Sequence, residues 1–190
     1  MSRLLTLLRP KGGPLFYDTF TDANGTSLAA HAPDKDRVGG GWAINEGAIA
    51  IQSNLAQSSG GAWNSAMADV GTADVSISVK VIRGSADGVG LLLRRDTSSR
   101  YWLAEINASA IRLLERDSTT TVRASAAVST TVGPQYTLHA AVAGETMSVS
   151  IPALAVTASY GSASAYKTRT QHGLFGFGAN HKWDDFEVNA

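Results

Sequence analysis

The sequence predicts an all-β fold, a two-sheet antiparallel β-sandwich, with a closed barrel as the competing arrangement. Apolar and polar residues alternate with period two along most of the chain, and no stretch holds a helical period for long. Turn-forming Gly, Asn, Asp and Ser recur at intervals of roughly ten residues, the spacing of a short strand plus its link.

The elements follow in order. A first strand is expected around Phe16–Phe20, and Asp22-Ala23-Asn24-Gly25 behind it reads as a turn, with Gly25 or Asn24 free to take positive φ. Phe16, Phe20 and Leu28 are expected to plug the core. "ADVSISVKVIRG" places Val75, Ile77, Val79 and Val81 on one face and Asp74, Ser76, Ser78 and Lys80 on the other, a strand buried on one side. "DGVGLLLRRD" and "RYWLAEINA" are joined by a turn at Asp96–Ser99, and "AIRLLERD", "TTVRASAAV", "QYTLHAAVAG" and "ETMSVSIPAL" continue the series. Ala143-Gly144 is predicted to centre a tight hairpin. "HGLFGFGAN" and "KWDDFEVNA" are predicted to pair as a closing hairpin. The first and last strands carry similar aromatic-acid patterns, which suits neighbours in one sheet.

Residues 1–14 read as an N-terminal docking arm and linker ahead of a sandwich over 15–190. The apolar run Leu4, Leu5, Leu7, Leu8 is broken by Thr6, ends at Arg9-Pro10 and lacks a small-residue cleavage site, unlike a signal peptide. It is too short to span a bilayer, so no membrane insertion is expected. An exposed leucine arm favours docking on a partner or a sister subunit, which predicts a homo-oligomer or a larger assembly.

Composition narrows the chemistry. Sixteen Lys+Arg balance sixteen Asp+Glu, which argues against a nucleic-acid binder. The absence of cysteine excludes disulfides, thiolate catalysis and Cys-ligated zinc. Five glutamates are present, and Asp185/Glu187 form a close acidic pair on the final strand. Glu105 and Glu115 could face one another across a hairpin, but nearby arginines (Arg94, Arg95, Arg112, Arg116) favour ion pairing over hydrolysis. The four histidines show no zinc spacing and no nucleophile elbow, and His31 is expected to bond the backbone in its loop. No catalytic residue is predicted, and the chain is not expected to be an enzyme. For glycan or partner binding, Tyr101 and Trp102 are strand neighbours, so one ring points outward, beside Arg94 or Arg95. Trp42, Trp63 and Trp183 are expected in the core.

The opening "DTFTDANGTSLAAHAPD" with Gly41-Trp42, the middle "GVGLLLRRDTSSRYWLAEINASAIRLLER" and the ending "GLFGFGANHKWDDFEV" resemble the concanavalin A-like lectin/glucanase (LamG-like) jelly-roll domains, in the version found in bacteriophage virion proteins. The resemblance covers about Phe16 to Val188 and rests on structural motifs. It implies a jelly-roll sandwich in a capsid-decoration or tail-associated protein on the outside of the particle. Its partners would be capsid or tail proteins, with weak adhesion to cell-surface glycans. A bacterial carbohydrate-binding module or, less favoured, a glycoside hydrolase of this fold are the other readings. The resemblance also implies a structural calcium site, matched here by Asp184, Asp185 and Asp22, against the simpler reading that these residues cap turns.

Overall fold

The computed structural model describes residues 12–190; the proposed docking leucines, Leu4, Leu5, Leu7 and Leu8, lie outside the described residues. The strands are β1 (Phe16–Asp18), β2 (Lys35–Asp36), β3 (Ala43–Glu46), β4 (Ile49–Ile51), β5 (Ala56–Ser58), β6 (Trp63–Asp69), β7 (Val75–Ile82) and β8 (Val89–Thr97). They continue with β9 (Arg100–Ile106), β10 (Ala110–Asp117), β11 (Thr119–Ala127), β12 (Gln135–Ala143), β13 (Thr146–Ile151), β14 (Val156–Tyr160), β15 (Gln171–Phe177) and β16 (Lys182–Asn189).

They form the predicted antiparallel sandwich. One sheet runs β14-β13-β12-β7-β16-β1-β2, with β5 attached to β16 and β4 to β5; the other runs β11-β10-β9-β8-β15-β6-β3. Val75, Ile77, Val79 and Val81 of β7 are buried as their alternation requires, and they meet Leu91 and Leu93 of β8 and Trp102 of β9 between the sheets. Such side chains each contribute about 1.5–3 kcal/mol on burial. The first and last strands lie side by side, with Phe16 opposite Val188 and Asp18 opposite Phe186. The β12–β13 turn falls on Gly144-Glu145, one residue later than its predicted centre, and Gly144 takes φ +55° there.

The closing hairpin is not formed. β15 pairs with β6 and β8, whereas β16 pairs with β7, β1 and β5 in the opposite sheet. The short link between them crosses the edge of the sandwich. Trp183 crosses the gap in the same place: its indole N–H donates to the Gly90 carbonyl of β8 at 3.1 Å. Gly90 is also pressed against β9, since a Cβ there would lie 2.0 Å from the Ala104 oxygen.

The opening segment folds over a nest of Phe16, Phe20, Trp42 and Phe186, with Phe16 meeting Trp42 edge-on at 5.0 Å. Beneath them Asp18 is wholly buried and accepts from the Trp42 indole at 2.6 Å and the Phe20 N–H at 2.7 Å. His31 does not bond the backbone through its ring, as its loop position suggested. It bridges two carboxylates, Nε2 to Asp18 at 2.9 Å and Nδ1 to Asp22 at 3.0 Å. Only the imidazolium can donate to both. Burial alone would pull the His31 pKa down, but the two carboxylates outweigh it and raise it above the ordinary value. Burial pushes Asp18 up against its donors, and the bond with His31 holds Asp22 low.

These directions fix a pH dependence. His31 and Asp18, raised on folding, stabilise at low pH and lose that contribution as pH climbs through their folded values. Asp22, lowered, contributes above its unfolded value of 3.8 and loses it as pH falls. The Tm gap between wild type and His31→Gln is therefore expected to be widest at about pH 5 to 6 and to narrow by about pH 9. Calorimetry across that range checks it; a gap independent of pH overturns the assignment.

Candidate functional site

Alternation along the seven-stranded sheet leaves one face turned away from the core. Met67, Leu92, Tyr101, Leu103, Leu114 and Phe175 on that face form a second buried cluster, with Trp63 packed against it. The sheet curls around it. In a flat sheet, Arg116 on β10 and Trp63 on β6 would start about 19 Å apart, four strand spacings. Their side chains nevertheless touch, with the guanidinium carbon 4.1 Å from the Trp63 ring centre. The face is therefore concave.

A groove of about 430 Å³ opens beside this cluster, within the range of small-ligand sites. Trp63, Phe175 and Phe177 form one wall, Trp63 lying 5.1 Å from Phe175 and 5.4 Å from Phe177. Glu105 and Arg112, cross-strand partners on β9 and β10, form an ion pair opposite them. The Asn107 amide donates to the same Glu105 Oε1 at 3.4 Å. Gly88 makes room for this carboxylate, since a Cβ there would lie 2.2 Å from the Glu105 Cδ. Asp87 stands exposed on the rim.

The rim is held from below. Buried Arg83 donates to the carbonyls of Ser85 at 3.1 Å and Ala86 at 2.7 Å, and to Thr130. His181 joins the two rim segments: its Nδ1 accepts from the Gly84 N–H at 3.2 Å, so Nε2 carries the proton and donates to the Phe177 carbonyl at 2.8 Å. Burial pushes the His181 pKa down, which keeps that neutral form. The Phe177 N–H in turn donates to the Gly88 carbonyl at 2.8 Å. The walls are thus set before any ligand arrives, which lowers the ordering cost of binding.

The sequence-predicted residues fare unevenly. Trp102 points into the main core and donates to the Ala165 carbonyl, so it offers no outer surface. Tyr101 does occupy the outer face, but its ring is fully buried, with Arg116 5.6 Å away and its hydroxyl donating to Glu46 at 3.3 Å. Neither ring is a stacking platform. Arg94 is buried, donating to Asp74 at 2.7 Å and to the carbonyls of Ala73, Gly144 and Ala163, where it ties loops together. Arg95 reaches Asn45 and Gln171 on the concave side, outside the groove.

The expected calcium ligands do not converge. Asp22 is engaged by His31, while Asp184 and Asp185 face Lys80, and no group of three or more His, Asp or Glu among the described residues is placed to hold a metal. Glu105 and Glu115 lie on opposite faces of their sheet, because Glu105 sits opposite Arg112 and Glu115 opposite core-facing Trp102. Glu105 takes the ion pair with Arg112; Glu115 pairs instead with Arg123 at 2.7 Å.

Trp63, expected in the core, is the residue that sequence reasoning misplaced. It and Phe177 are cross-strand partners on the outer face. The alternation Phe175-Gly176-Phe177 carried the signal: two rings on one face, with Leu174 on the other.

No family model and no curated protein matches this chain. Among solved structures, it is similar to the carbohydrate binding module CBM66 from Bacillus subtilis, at 14% identity and a TM-score of 0.68, covering 78% of this chain and 95% of that one. It is similar to a Bacillus subtilis protein of unknown function with a galectin-like fold, at 12% identity and 0.64, covering 94% and 96%. It is also similar to the CBM2 module of the evolved Dit of Lactobacillus casei BL23 phage J-1, at 10% identity and 0.52, covering 91% and 95%. These likenesses show the fold: a jelly-roll sandwich of the galectin-like and carbohydrate-binding-module kind.

Proposed function

We propose that this chain is a non-enzymatic glycan-binding domain carried on the outside of a bacteriophage particle, with the concave groove as its binding site. The observation that carries the reading is an aromatic wall facing a hydrogen-bonding pair across a fixed groove. A sugar ring presents apolar C–H faces and hydroxyls that both donate and accept. Trp63 and Phe177 suit the faces, Glu105 accepts, and Arg112 and Asn107 donate. A shallow groove of this kind binds weakly, and many copies on one particle multiply the effect. The likeness to a carbohydrate-binding module and to a module of a phage Dit supports both halves of the proposal. On this reading residues 1–14 dock the domain on capsid or tail proteins, and sister copies assemble there.

Phe177 is 38% exposed, so its removal should not unfold the sandwich. Phe177→Ala is expected to weaken glycan binding by about tenfold or more with little change in Tm. Titration of the strongest hit from a glycan array checks this, and undiminished affinity removes the groove from consideration. Immunogold labelling of purified particles tests the location; unlabelled particles overturn it.

A further inference from the structure

We infer that the sugar this groove takes is acidic, with its carboxylate seated on Arg116, an inference that rests on the glycan-binding reading above. Arg112 and Arg116 both project from the concave side of β10, on either side of Leu114. Their circumstances differ. Arg112 is neutralised by Glu105. Arg116 lies over Trp63, a wall of the groove, and has no carboxylate partner among the described residues.

Each acid that could have served is already taken. Glu115 and Asp117 flank Arg116 in sequence, yet Glu115 pairs with Arg123 and Asp117 faces Arg100 at 3.5 Å. Glu46, across the cup, accepts from the Tyr101 hydroxyl. Of the neighbouring arginines, Arg94 meets Asp74, Arg100 and Arg169 meet Asp96, and Arg95 donates to the neutral Asn45 and Gln171. Arg116 keeps only ring faces, Trp63 at 4.1 Å and Tyr101 at 5.6 Å, and its Nε is sealed from solvent with no hydrogen-bond partner.

A cation stacked on an aromatic plane is held flat and oriented, which pre-organises its fork for a planar carboxylate. A ring packed against the exposed part of Trp63 would bring an acidic substituent to the free edge of that guanidinium. Bidentate pairing there should favour the acidic sugar over its neutral counterpart by about tenfold to a hundredfold.

The test uses oligosaccharide pairs that differ only in the acidic group: uronate against the parent hexose, sialylated against asialo, and sulfated against unsulfated. Titration of the full chain at low and high salt is expected to show preference for the carboxylate member, shrinking as salt rises. Arg116→Gln should abolish the preference while neutral binding persists, and Arg116→Lys should retain part of it. Equal affinity for both members of every pair, or equal loss of both in Arg116→Gln, overturns the acidic assignment alone. Preference for sulfate over carboxylate overturns the planar-carboxylate geometry. Failure of every sugar, neutral and acidic, overturns the glycan reading as well.

Discussion

Replacing Asp18 by alanine is expected to lower the unfolding free energy by about 3–5 kcal/mol, the cost of stranding one member of a buried ion pair. Three donors converge on this carboxylate, from Trp42, Phe20 and His31, and all three belong to buried residues. A domain of this size holds only about 5–15 kcal/mol in total, so the variant should melt roughly 6–20 °C lower. Differential scanning calorimetry measures it. Asp18→Asn combined with His31→Gln removes both charges and keeps hydrogen-bonding capacity, so it should recover part of the loss. A single variant that melts within about 2 °C of wild type would show that the clamp contributes little.

Gly88→Ala is expected to weaken binding by displacing Glu105, without removing any groove side chain. The new methyl would occupy the place of the Glu105 carboxyl, 2.2 Å from its Cδ. Glu105 must then swing away and release Arg112, so the polar wall is lost. Overpacking of this kind costs about 1–3 kcal/mol, which the fold can absorb. The expected pair of results is a modest drop in Tm and a loss of glycan affinity of at least about tenfold. Unchanged affinity would mean that Glu105 and Arg112 do not meet the ligand.

Much of the fold was legible because period two is written directly into the chain. Val75, Ile77, Val79 and Val81 show it in β7, and the core role of Phe16, Phe20 and Leu28 followed from their apolar size amid polar neighbours. What alternation does not encode is which sheet a strand joins. β15 and β16 are separated by a few residues and read as a hairpin, yet they belong to different sheets, because short links serve arches as well as turns. The site was less legible for a related reason. Alternation tells inward from outward for Tyr101 and Trp102, but not that a curled sheet buries its own outer face. Tyr101 faces outward and is still hidden. Trp63, given to the core by its size, stands at the groove through its pairing with Phe177, a contact made across more than a hundred residues of chain. The polar opening segment supplied an internal clamp where calcium had been an option, since the histidine that supplies its positive charge lies nine residues from Asp22.

The side-by-side placement of β1 and β16 has a consequence for how the domain can be mounted. Both strands belong to the nine-stranded sheet, and the groove opens on the far side of the other one. A host polypeptide joined at either end, or at both, would meet the sandwich at its back. Such a graft acts like a stalk behind a mirror: it leaves the receptive surface pointing away from whatever carries it. The same adjacency makes the unit a natural insert for a surface loop of a larger scaffold, because entry and exit need only one opening.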